Sequence, residues 1–363
     1  MRKLISIIII IIFINIILPS AQAVVDPLSV PNNRFGIHII TPSSDEVSPA
    51  AQLVNSNGDW GYITVLVESS NRDLNKWQNF FNDLRRRHLI PIVRLTTQTE
   101  KDYWKRPYPL EEIAWADFLN KLNWPTKNRY VVIYNEPNHG AEWGNLVDPK
   151  DYAQTLNKTI DALKTQSQDF FVLNAGFDAS APSEPPNYED QSQYMALMNE
   201  EVPGIFQKLD GWVSHSYPQP GYVGSPNGVG RGSIRTYLWE LAILKQFGVT
   251  KNLPVFITET GWKHAEGLDY DPSLPSTEKI ADYYKIAFER AWDNPQVVAV
   301  TPFLLNYQER PFDHFSFKKI TGEHQKEKIL GVEFPEYYAH FQSLKELPKT
   351  VGLPLQENKA VLI

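Results

Sequence analysis

Residues 130–136 read Tyr-Val-Val-Ile-Tyr-Asn-Glu, and residues 254–259 read Pro-Val-Phe-Ile-Thr-Glu. Each is a short apolar run, rich in β-branched side chains, that stops at a carboxylate. A strand wetted on one face alternates apolar and polar residues. A run that is apolar at nearly every position suits a parallel strand covered on both faces. Six more runs share this character: Arg34–Ile40, Tyr62–Ser69, Leu89–Thr97, Phe170–Gly176, Gly211–Tyr217 and Val297–Leu305. Segments with helical spacing lie between them, among them Leu74–His88, Glu111–Leu122, Pro149–Thr165, Ile234–Phe247 and Thr277–Trp292. Start signals support two of these, Asp148-Pro149 and Ser276-Thr277-Glu278. A last helix is expected over Pro335–Leu347. Eight strands alternating with helices, with no Gly/Ser linker between them, predict an α/β protein built as a single (β/α)8 barrel. A doubly wound open sheet would carry G-x-G-x-x-G in its first turn, and that motif is absent.

Composition narrows the chemistry. The 363 residues are 42% hydrophobic and 21% charged, a globular balance, and the net charge of −7 argues against a broad nucleic-acid surface. There is no cysteine, so disulfides, thiolate metal sites and thiol catalysis are excluded. Residues 1–23 read as an export signal. Arg2 and Lys3 precede the apolar run Leu4–Leu18, and Ala21-Gln22-Ala23 forms a small-x-small cleavage site. The catalytic domain would then span 24–363. Cleavage would leave 33 basic against 42 acidic residues, a net charge of −9. The alternative is an uncleaved N-terminal membrane anchor.

A barrel of this kind carries its chemistry at the C-terminal ends of the strands. The residues expected there are more polar than a core requires: His38, Glu68, Arg94, Asn135, Glu136, Asn174, His215, Tyr217, Glu259 and Asn306. Burying an unpaired carboxylate costs several kcal/mol, so two of them ending apolar strands suggest a use. Glycoside hydrolysis needs such a pair: one carboxyl protonates the leaving oxygen while the other attacks or activates water.

At these residues the chain resembles a known group. Tyr134-Asn135-Glu136-Pro137-Asn138 and Ile257-Thr258-Glu259-Thr260-Gly261-Trp262 resemble the two signatures of the retaining glycoside hydrolases of clan A, and His215-Ser216-Tyr217 resembles that clan's H-x-Y element. The likeness runs from Arg34 to about Leu347 and points to family 39-like or family 5-like enzymes. It implies that Glu136 is the general acid and base and Glu259 the nucleophile. It further implies that Asn135 holds the sugar 2-hydroxyl, that Tyr217 donates to Glu259, and that His215 and Arg94 orient groups around the −1 sugar. By the same resemblance Trp143 and Trp262 offer faces to sugar rings. His38 and Asn306 are further candidates for substrate contact. The departure is at strand eight, where the clan usually has Trp and this chain reads Phe303-Leu304-Leu305-Asn306-Tyr307.

Three long loops are expected on the catalytic face: residues 178–189, 217–232 and 307–334. Walls of that length favour a groove for a β-linked oligosaccharide or polysaccharide. No metal or cofactor motif is present: H-E-x-x-H, the P-loop and G-x-S-x-G are all missing, and Asp269-Tyr270-Asp271 lacks the ligand count of a calcium loop. The reading is a secreted, monomeric, cofactor-independent retaining glycosidase that binds neither nucleic acid nor membrane. Its rivals are a catalytically silent carbohydrate-binding barrel and a transglycosylase using the same residues.

Overall fold

The computed structural model describes residues 24–56, 58–321 and 336–357. The expected export signal and residues 322–334 of the loop after strand eight lie outside them. Eight parallel strands follow the expected order. They are β1 (Gly36–Ile39), β2 (Gly61–Glu68), β3 (Leu89–Thr96), β4 (Arg129–Val132), β5 (Phe170–Leu173), β6 (Trp212–His215), β7 (Val255–Glu259) and β8 (Val297–Val300). The first five form one sheet and the last three another. Single parallel bridges, Leu173 to Gly211 and Phe35 to Val300, join the two sheets at both seams. The ring is therefore complete, a (β/α)8 barrel.

The helices are α1 (Ser44–Asn55), α2 (Leu74–Arg86), α3 (Glu111–Lys121), α4 (Pro149–Gln166), α5 (Gln191–Glu201), α6 (Thr236–Gln246), α7 (Thr277–Ile286) and α8 (Ala339–Glu346). Side-chain caps start several of them: Asp73 accepts from the Lys76 amide, Asp148 from Asp151 and Ser276 from Lys279. Helices α1 and α5 were not singled out by spacing. The first carries Pro49 in its interior, and the second follows the Pro-rich 178–189 loop. A small hairpin, Thr99–Glu100 with Tyr103–Trp104, was also not foreseen.

Strand alternation builds the barrel in layers. Along β2, Ile63, Val65 and Val67 face the helices while Tyr62, Thr64, Leu66 and Glu68 alternate toward the interior. The lower interior is aromatic: Tyr130 packs on Phe171 and Phe256 at ring separations of 5.1 Å, with Tyr62 at 6.2 Å. Above it the interior turns polar, with the Thr64 and Thr301 hydroxyls 2.9 Å apart. Residues 25–33 and 352–355 cover the lower rim. Asn128 donates to the Val25 carbonyl, and the Leu353 amide to that of Pro31.

Several strands stop earlier than their apolar runs suggested. Strand β4 ends at Val132 because Tyr134 takes a left-handed φ of 68°. Strand β5 ends at Leu173 because the Asn174 side chain replaces the ladder, accepting from the Val213 amide and donating to the Val213 and Ala175 carbonyls. Strand β8 ends at Val300, two residues before Pro302, which has no amide hydrogen to give.

Candidate active site

The early end of β4 shapes the site. Tyr134 and Glu136 both have positive φ, 68° and 28°, an unfavourable conformation for side-chain-bearing residues that clusters at functional sites. The Glu136 amide donates to the Gly176 carbonyl, tying this segment to the one after β5. Its carboxylate accepts from His215 Nδ1 at 2.8 Å. The His215 ring lies close against Gly176, where a Cβ would stand 2.1 Å from its Cδ2, so only glycine leaves room for it.

Glu259, at the end of β7, is more enclosed. Arg94 Nη1, from β3, donates to Glu259 Oε1 and at 2.8 Å to Asn135 Oδ1. The Tyr217 hydroxyl donates to Glu259 Oε2 at 3.1 Å. Burial pushes the Glu259 carboxyl up, but the charges of His215 and Arg94 outweigh it and hold the group at about 2. His215 responds in the opposite sense: burial lowers its pKa, yet Glu259 and Glu136 together raise it above the ordinary histidine value.

One oxygen each of Glu136 and Glu259 and a ring nitrogen of His215 lie within 4.8 Å of one another. Among the described residues only this group is close enough to hold a metal ion. The Glu259 carboxylate, however, already receives a guanidinium and a phenol, and a dication would have to displace the His215 proton.

These residues open into a cleft of about 520 Å³. Glu68, Arg94, Asn135, Glu136, Tyr217 and Glu259 line it, as the sequence led one to expect. His215 lies just beneath, against Glu136. His38 is buried against Phe303, its Nε2 4.0 Å from Glu259 Oε1, and neither ring nitrogen has a hydrogen-bond partner among the described residues. Burial, then Arg94, lowers its pKa to about 3, so it is a neutral ring packed behind Glu259 rather than a cleft residue.

Three expectations are corrected. Trp143 is fully buried between Tyr134 and Tyr152, its indole nitrogen donating to Asp151 at 2.9 Å. Trp262 is equally buried against Tyr284 and Trp292 and donates to the Gly224 carbonyl. Neither presents a face to the cleft. Asn306 turns away too, with its amide toward Glu46 at 3.5 Å in a separate polar hollow beside Lys318. The apolar faces come instead from Phe303, Phe312 and Phe315 after β8, Tyr222 after β6 and Trp104 of the hairpin. The Phe312 and Phe315 rings were visible as aromatics in a long loop, but no local pattern says which way a loop ring faces. Glu142, another cleft residue, also escaped notice. Its only signal was an acid placed directly before Trp143 in the loop after β4.

No protein-family model matches the chain, and no curated protein matches it. Solved structures do. A glucosidase from Croceicoccus marinus aligns over 87% of this chain and 68% of its own, with TM-score 0.59 and 10% identity. A β-glucosidase from Trichoderma harzianum covers 90% and 98%, with TM-score 0.54 and 11% identity. A family 128 (subgroup II) endo-β-1,3-glucanase from Sorangium cellulosum covers 87% and 98%, with TM-score 0.51 and 14% identity. The chain therefore shares its (β/α)8-barrel fold with these two glucosidases and this endo-glucanase.

Proposed function

We propose that the protein is a retaining glycoside hydrolase acting on β-linked oligo- or polysaccharides. The observation that carries this is the approach of one carboxylate oxygen of Glu136 to one of Glu259, within 4.8 Å of each other, across the mouth of the cleft. Retaining enzymes hold their carboxyl groups about 5–5.5 Å apart and inverting ones about 6.5–9.5 Å, the extra space being needed for a water.

Glu259, kept ionised by Arg94 and His215, attacks the anomeric carbon as the glycosidic bond breaks. Glu136 delivers its proton to the leaving oxygen, and a glycosyl ester forms on Glu259. Water then enters, Glu136 takes its proton, and the sugar leaves with its original anomeric configuration. Tyr217 steadies the Glu259 carboxylate in both steps, and Asn135 is placed by Arg94 to meet the sugar 2-hydroxyl. Phe303, Tyr222 and Phe312 supply apolar faces for sugar rings. A silent binding barrel would have no need of two carboxylates at this separation. A transglycosylase differs only in the acceptor.

The test is NMR of the first-formed product in a screen of aryl β-glycosides, β-glucans, mannans and xylans. A β-anomer is expected; an initial α-anomer would sink the mechanism. The names of the neighbours make β-glucosides and β-1,3-glucans the place to begin. We further read the protein as exported and monomeric, needing no cofactor. Among the described residues no helix is long and apolar enough to cross a membrane. Mass spectrometry of secreted material should find an N-terminus at Val24, whereas intact Met1 in a membrane fraction would establish an anchor.

A further inference from the structure

The oxygen of Glu136 that must carry the proton faces a second histidine. His215 Nδ1 bonds to Oε1 at 2.8 Å, while Oε2 lies 3.9 Å from His139 Nδ1. That distance is too long for a hydrogen bond and short enough for a charge to be felt. The turn between the two residues is fixed, since the His139 amide donates to the Glu136 carbonyl at 2.8 Å. Asn138, fully buried within it, laces the turn to the segment after β5. Its side chain donates to the Asp178 and Glu189 carbonyls at 2.9 and 3.1 Å and accepts from the Asp178 amide at 3.2 Å.

Asp178 decides how the imidazole is used. Its Oδ1 accepts from the Ser180 amide at 2.7 Å, and its Oδ2 lies 2.9 Å from His139 Nε2. Burial raises the Asp178 carboxyl, but the bonds from His139 and Ser180 outweigh it and hold the group below its usual range. A carboxylate only accepts, so Nε2 donates to it and Nδ1 is left for Glu136. Tyr188 packs edge-on against the imidazole at a ring separation of 4.9 Å. Burial lowers the His139 pKa, yet the bond to Asp178 and the charge of Glu136 raise it above the ordinary histidine value. The charged groups around the ring are Glu136 on its own turn, Asp178 after β5 and Glu142 on the next turn, with His215 and Glu259 beside Glu136.

The use for such a cation follows from Glu259. With one of its carboxylate oxygens within 4.8 Å, the proton on Glu136 is harder to give, because its departure leaves two like charges side by side. An imidazolium opposite Oε2 offsets that repulsion. We propose that His139, aimed by Asp178, is a positioning residue that holds a positive charge against Glu136 Oε2 and so eases delivery of the proton to the leaving oxygen. This rests on the glycosidase reading above. The proton passes from Glu136 to the leaving oxygen as the C–O bond breaks and the ester on Glu259 forms. Water later returns a proton to Glu136, and His139 keeps both of its own throughout.

The experiment follows kcat/KM against pH for the unactivated β-glycoside on which the wild type is most active, in wild type, His139→Gln and Asp178→Asn. Without the imidazolium the carboxylate form of Glu136 is less favoured, so His139→Gln should move the alkaline limb up by about 0.5–1 pH unit. At the wild-type optimum it should lower the rate about three- to tenfold, and an activated aryl glycoside, which needs little acid assistance, should slow by less than about twofold. Asp178→Asn should move the limb the same way by a smaller amount. Nitrogen NMR of the histidine rings reads the charge in the unmutated protein, which keeps the proposal testable if a variant folds poorly. His139 should be doubly protonated at pH 6.5, the ordinary histidine value. An unmoved limb with equal losses on both substrates, a limb that moves down, or a singly protonated His139 would each overturn the proposal. A Glu259→Ala protein of wild-type activity would instead overturn the glycosidase reading, so the two failures are distinct.

Discussion

Strands β4 and β7 both deliver a glutamate to the cleft, and the two carboxylates are kept under different conditions. Glu259 is the last residue of its strand, is buried, and is held by Arg94 and Tyr217 with His215 close by. Glu136 lies four residues past its strand, on backbone with positive φ, bonded to His215 with His139 3.9 Å away and no guanidinium on it among the described residues. A carboxylate that must attack benefits from fixed aim and permanent charge. One that must give and take a proton benefits from having few cations fixed on it. The same residue type thus acquires two roles from its surroundings, and the difference can be tested.

The largest effect should come from Glu259→Ala. Every turnover uses the nucleophile, so hydrolysis of all substrates should fall by about 10⁴-fold or more. Azide added to this variant can enter only from the vacated face and should give the α-glycosyl azide. Glu136→Ala should come next. Cleavage of natural glycans should be nearly lost, while an activated aryl glycoside should still form the glycosyl-enzyme, since its leaving oxygen departs unaided. Azide should speed that variant and yield the β-azide. An exchange of these behaviours would reverse the assignment; wild-type rates in both would move the site elsewhere.

Tyr217→Phe sharpens the comparison on the Glu259 side. It removes one hydrogen bond to a charged group, about 1.5–3 kcal/mol, and should lower kcat about 10- to 100-fold for every substrate. Gly176→Ala probes the other side, because its Cβ must push His215 off Glu136. It should slow natural glycans about tenfold while sparing activated aryl glycosides, at a stability cost of about 1–3 kcal/mol. If both substrate types slow alike, His215 does not serve Glu136 in particular.

The smallest effect is on acid stability. Glu259 titrates lower in the folded than in the unfolded chain, so its contribution is present above its unfolded value near 4.5 and is lost as pH falls toward about 2. His215 is shifted upward, so its contribution is full below about 6.5 and is lost as pH rises through its folded value. Urea midpoints measured from pH 2 to 8 should fall at both ends. Glu259→Gln should flatten the acid limb, and an unchanged acid limb would contradict the assigned environment.

Much of the site was legible because it sits where chain pattern and fold meet. Arg94, Asn135, Glu136, Tyr217 and Glu259 follow or end apolar runs, and a barrel collects strand ends at one mouth. The sugar-facing aromatics were not legible. Trp143 and Trp262 stand close to the two glutamates in sequence, yet a large indole beside a strand end packs inward as readily as outward, and here both are buried. Phe303, Tyr222 and Phe312 reach the cleft from separate loops, so only the closed fold brings them together. Glu142 was hidden for a related reason. Its place at the cleft depends on which side of an anchored turn it faces, and the turn is anchored through Trp143 to Asp151 and through Gly144 to Trp104, forty positions earlier.

The sequence by itself determined the eight strands, their parallel order and the two carboxylates, since each depends on local runs of apolar residues and on what interrupts them. Only the tertiary structure decided which cation serves which carboxylate, which rings face the cleft and which histidine carries charge. Those depend on distances of a few ångströms between segments separated by tens to hundreds of residues. Arg94 and Glu259 are 165 positions apart, yet they meet in one hydrogen bond. His38 and His215 show it most plainly: both are buried, but the ring nitrogens of the first have no hydrogen-bond partner among the described residues and burial keeps it neutral, while the second is bonded to Glu136 with Glu259 close by, and its pKa rises.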